Sequence, residues 1–137
     1  MANAVDTQAA KHGDLALLIG RILIGALFLI AAYNKVKGYS GGLGYFAKLG
    51  VPAPEVMLPL TILFEAAAGV LLIVGYQTRL VALAIAAFCV ATALLAHVNI
   101  ADGNQFNHLL KNFAVAGGAL AFFVTGAGRQ SVDARTG

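Results

Sequence analysis

Residues 15–33 read LALLIGRILIGALFLIAAY, an apolar run broken by a single charge, Arg21. A helix rises about 1.5 Å per residue, so this run matches a hydrocarbon core of about 30 Å. Three more runs of the same kind follow, from about Val56 to Val74, Leu80 to Ala96 and Leu109 to Thr125. Nothing in them alternates with the period of a barrel strand, and lipid offers no water to stray backbone groups. The sequence therefore predicts an all-α integral membrane protein whose four spans form a helical bundle. The first run is too long for a cleaved signal segment, and Asn34-Lys35 stands where a cleavage site would lie, so it is read as a retained span.

Composition agrees. Of 137 residues, 60% are hydrophobic and only 11% charged, with a mean hydropathy of +0.84. Soluble domains carry about a quarter charged residues, because water must be met over the whole surface. The net charge of +3 is scattered, with no basic cluster interleaved with aromatics, which excludes a nucleic-acid partner. The lipid bilayer is the first partner. The lone Cys89 reads as a small hydrophobe within a span.

Local signals divide the chain. Residues 1–14 are polar and read as a mobile tail, 15–126 as the membrane domain, and 127–137 as a polar C-terminal tail. Gly75 ends the second span, and Thr78 is placed to cap the third. Between the first two spans, Leu43, Phe46, Ala47 and Gly50 fall at helical spacing opposite Tyr45 and Lys48. This predicts a short helix lying in the interface. Pro54 suits the first turn of the next helix. Small residues, among them Gly25, Gly69 and Gly118, mark close helix packing. An even number of spans puts both termini on one side. Basic residues are evenly divided between the two sides, and Arg21 tips the expected orientation toward cytoplasmic termini.

Two groups of polar residues are candidates for chemistry. Arg21 lies about 10 Å, and Glu65 about 15 Å, below the face that carries the termini. A lone charge at such depth costs at least about 2.5–3.5 kcal/mol, so the two are expected to pair inside the bundle. That pair reads equally as a structural lock or as a polar anchor for a ligand. At the opposite face gather Asn34, Lys35, His97, His108, Lys111 and Asn112. The two histidines lack neighbours at ligand spacing, with Asp102 the sole third candidate, so no metal is expected. No nucleophile motif, phosphate loop, dinucleotide fingerprint or CxxC occurs.

With these residues in view, the chain resembles the DoxX family of small bacterial inner-membrane proteins, from about Leu15 to Asp133. The resemblance rests on Arg21-Ile-Leu-Ile-Gly25-Ala-Leu-Phe28, Asn34-Lys35, Glu65, Gly69-Val-Leu-Leu-Ile-Val-Gly75, Thr78-Arg79 and His97. It extends to the ending Gly126-Ala-Gly128-Arg129-Gln-Ser131-Val-Asp133, where Ala127 replaces a common proline. It implies four spans in the inner membrane and an association with oxidoreductases, since such proteins include a membrane subunit of thiosulfate:quinone oxidoreductase. The favoured expectation is a subunit of a quinone-linked redox system, with no covalently bound cofactor, a quinone held near Arg21 and Glu65, and a soluble redox partner. If it takes part in catalysis, it does so within such an oxidoreductase and not as a stand-alone enzyme. The alternative is a non-catalytic anchor or assembly factor for a soluble partner. A small-molecule carrier trails, because four short spans would serve only as a homo-oligomer.

Overall fold

The computed structural model describes residues 3–137. Its elements are α1 (Ala4–Lys37), α2 (Tyr39–Lys48), α3 (Pro54–Val74), α4 (Thr78–Ala96), α5 (Gly103–Thr125) and a single turn α6 (Asp133–Thr136). Helices α1, α3, α4 and α5 are long and apolar enough to cross a bilayer. They alternate in direction, so both ends of the described chain lie at the same end of the bundle. There the Arg129 backbone N–H donates to Asp14 Oδ1 at 2.8 Å.

The polar residues before Leu15 depart from the expected separate tail, because α1 continues through them. Asn3 accepts the Asp6 N–H at 2.9 Å, and the Asp6 carboxylate accepts the Asn3 N–H at 3.1 Å. This reciprocal box satisfies the amides that a helix end leaves orphaned. With 34 residues α1 is about 50 Å long, so its first turns stand clear of a 30 Å hydrocarbon layer. The expected interfacial helix is α2, which breaks from α1 at Gly38 and packs on α3.

Helix α1 packs mainly on α3, and α4 on α5. The two pairs close on a core that includes Phe28, Leu72, Ile85, Cys89, Ala119 and Phe122. Only 17–33% of the most hydrophobic stretch of each span is buried against protein. Leu23, Leu63, Leu80 and Val124 are among the apolar side chains left outside, and lipid must cover them. Since lipid tails are as apolar as leucine, helix association here rests on close packing. The tightest approach joins α1 and α3. A Cβ added at Gly25 would lie 2.8 Å from the Gly69 carbonyl oxygen, and one at Gly69 the same distance from the Gly25 carbonyl.

Gly25→Leu is therefore expected to force α1 from α3 and destabilise the protein by about 1–3 kcal/mol, the usual cost of overpacking. Gly13→Ala meets nothing within 4 Å on a helical stretch and should be neutral or slightly stabilising. Melts in detergent measure both, and a Gly25→Leu variant as stable as the parent would contradict this packing.

Candidate functional site

Arg21 and Glu65 are both buried, at 0% and 4% exposure, but they do not pair. The expected pair is corrected by the bonds each residue makes. Arg21 Nη1 donates to the Leu72 carbonyl at 3.3 Å and the Ile73 carbonyl at 2.7 Å, and Nη2 donates to the Gln130 carbonyl. The last carbonyls of α3 keep acceptor capacity that the helix does not use, and they carry partial negative charge. That charge lies nearer the termini than Glu65 does, so the guanidinium turns outward to reach it. Gly75 leaves the room, since a Cβ there would sit 2.5 Å from Arg21 Nη1.

The C-terminal tail completes this end of the bundle. Val132 and Asp133 N–H groups donate to the carbonyls of Val74 and Gly75 at 3.0 and 2.8 Å. The Asp133 carboxylate then accepts the N–H groups of Gln77 at 2.7 Å and Thr78 at 2.9 Å, capping α4. Thr78 is thus not the cap but the first residue of the helix, and the cap comes from 55 residues away. The same bond holds Gln77 in the left-handed region at φ 50°. Burial raises the Asp133 carboxyl, but the Thr78 and Gln77 amides and the Arg21 charge outweigh it and hold the group below its usual range. Arg79 repeats the role of Arg21 at α5, donating to the Phe123 carbonyl at 2.7 Å and to that of Val124. Arg21, Arg79 and Asp133 each serve a helix end, and Arg129 pairs with Asp14.

The other end is built differently. Glu65 lines a cavity of about 480 Å³ together with Lys35, His97, His108, Lys111 and Asn112. The second polar group of the sequence is therefore brought together, with Glu65 added to it. Asn34 is the exception. Its side chain is exposed and outside the cavity, while its carbonyl accepts the Gly38 N–H at 2.9 Å. Lys35 Nζ donates to Glu65 Oε1 at 2.8 Å. The rings of His97 and His108 stack with centroids 5.0 Å apart. His97 Nδ1 lies 2.7 Å from Gln105 Oε1, and since an amide oxygen only accepts, that nitrogen carries the proton. Asp102 caps α5 through the Asn104 and Gln105 N–H groups. Among the described residues, no three side chains of His, Cys, Asp or Glu converge as a metal site.

Phe28 and Phe88 are among the aromatic residues that the sequence allows equally as pocket lining or as helix packing, whereas the share of the wall that α2 supplies was not legible. Phe28 comes from α1, Phe88 and Cys89 from α4, and Tyr45 and Phe46 from α2, so the interfacial helix forms part of the cavity. Thr61 lies one turn before Glu65, a spacing that would have marked a polar stripe on α3.

Comparison with known proteins fits this architecture. The DoxX family model matches residues 16–98, more than half the chain. The chain belongs to the DoxX family. It is 40% identical over 123 residues to inner membrane protein YqjF of Escherichia coli strain K12, covering 90% of this chain and 93% of that protein. It is 32% identical over 135 residues to inner membrane protein YphA of the same strain, covering 95% of each. No solved structure matches. The DoxX match includes Arg21, Lys35, Glu65 and His97, whereas His108, Lys111, Asn112 and the capping Asp133 lie beyond it.

The low-lying Asp133 carboxyl gives a pH dependence of known sign. A depressed folded value contributes stability in full above the unfolded value of about 3.9 and loses it as pH falls through the folded value. Asp133→Asn is expected to flatten the fall in melting temperature between pH 5 and pH 3. Asp133→Ala should cost about 0.5–2 kcal/mol at neutral pH as a lost cap. An unchanged acid profile in Asp133→Asn would show that this contact adds nothing.

Proposed function

We propose that the cavity binds a quinone-type ligand and that the protein serves as an inner-membrane subunit of a quinone-linked redox system. The observation that carries the reading is the cavity itself. A volume of about 480 Å³ falls in the range of small-molecule sites, which are apolar pockets with a few placed polar groups. Phe28 and Phe88, with ring centroids 6.0 Å apart, offer faces to a planar ring. Lys35 offers a donor to the oxygens of the oxidised ring, and Glu65 an acceptor to the hydroxyls of the reduced one. A bound quinone would supply the electron-carrying group. The residues of this chain would hold its ring, orient its oxygens and keep it in the bilayer. The family resemblance implies a redox association, and the names of the relatives support the inner membrane alone. Arg21 adds to the basic residues at the termini end and favours cytoplasmic termini. Reporter fusions at residues 1 and 137 should both report that side, and a periplasmic report would reverse the orientation.

Binding of a decyl-substituted benzoquinone to purified protein tests the site. Micromolar binding is expected, weakened at least ten-fold by Ala31→Trp, which fills the cavity. Failure to bind, or equal binding by a folded Ala31→Trp variant, would overturn the proposal.

A further inference from the structure

We infer that the cavity selects the reduced, hydroxyl-bearing form of its ligand, a hydroquinone or similar phenol, through donation of a hydroxyl hydrogen to Glu65 Oε2. This deepens the proposed function and rests on it.

The argument begins with what Glu65 lacks. Its Oε1 takes the Lys35 ammonium at 2.8 Å, while Oε2 is buried without any hydrogen-bond donor among the described residues. A carboxylate locked to an ammonium is an acceptor only. A buried acceptor left unmade costs free energy, and a bond to a charged acceptor is worth more than one between neutral groups. A ligand that supplies the missing donor recovers that loss.

The threonine hydroxyls of the cavity wall do not fill the role, and neither the Tyr45 hydroxyl nor the Asn112 amide bonds Oε2. Thr61 Oγ1 donates to the Met57 carbonyl at 2.8 Å, and Thr92 Oγ1 donates to the Phe88 carbonyl at 2.9 Å. Each spends its single proton on its own helix. A neutral His97 ring adds a second acceptor, because the Nδ1 proton that faces Gln105 then leaves Nε2 its lone pair. The cationic donors of the wall are better placed for water. Lys35 keeps 30% of its side chain exposed, and Lys111 is exposed. The buried, unmet demand of the cavity is thus for a donor. The carbonyl oxygens of a quinone only accept, whereas the hydroxyls of a hydroquinone donate.

The test compares three probes on the parent protein, under anaerobic conditions. They are a decyl-substituted benzoquinone, its hydroquinone, and the di-O-methyl ether of that hydroquinone, which keeps the shape but cannot donate. The hydroquinone should bind at least ten-fold more tightly than the other two, as expected for one bond to a charged acceptor. Glu65→Gln, whose amide can donate, should erase that preference. Quinone or diether binding as tight as the hydroquinone would overturn this inference and leave the proposed site intact. Failure of all three to bind would overturn the proposed function and the inference together. Because the ligand series is run on the unaltered chain, the outcome does not depend on the variant folding.

Discussion

The bond from the Arg21 guanidinium to the carbonyls of Leu72 and Ile73 is the contact on which the arrangement turns. A cation fully withdrawn from water needs compensation, and so do the open carbonyls at the end of a helix. Each meets much of the need of the other, with Arg21 Nε left without a partner among the described residues. With Arg21 engaged there, it is not available to Glu65, and the carboxylate turns to Lys35 at the opposite end of α1. One helix thus serves the C-terminal end of α3 and the carboxylate at its middle, with a positive residue for each.

This separation divides the bundle by task. At the termini end, Arg21, Arg79 and Asp133 close the ends of α3, α5 and α4, and the tail is tied to the turn between α3 and α4. In lipid such satisfaction is a condition of folding, since each orphaned backbone group costs several kcal/mol. The other end keeps an open volume, a buried carboxylate oxygen without a donor and a pair of stacked histidines. Small-residue contacts such as Gly25 on Gly69 hold α1 against α3, the two helices that carry Lys35 and Glu65 into this cavity.

Much of the fold was legible because bilayer thickness fixes helix length, and the four apolar runs have that length. The helical pattern of Leu43, Phe46 and Ala47 revealed α2 for the same periodic reason. The helical stretch before Leu15 was missed, since its residues are polar and only Asn3 and Asp6 signal its start. Arg21 and Glu65 were each recognised as buried charges, but matching them by depth ignored the helix end that lies closer to Arg21. Depth in the membrane sets which groups must be compensated, not which partner does so. Asp133 was outside the reach of local reading altogether, because it caps a helix that begins 55 residues earlier. The polar cluster at the far end was visible from helix ends alone, whereas its apolar wall depends on how α2 folds back over α3.

The division between the two charges is tested most directly by a pair of double-mutant cycles on stability in detergent. One couples Glu65→Gln with Lys35→Met, the other couples Glu65→Gln with Arg21→Met. Groups in direct contact show interaction energies of about 0.5–3 kcal/mol, and groups without shared partners add within about 0.5 kcal/mol. The account predicts a coupling above about 1 kcal/mol for Lys35 with Glu65 and additivity for Arg21 with Glu65. Strong coupling of Arg21 to Glu65, with none to Lys35, would contradict it.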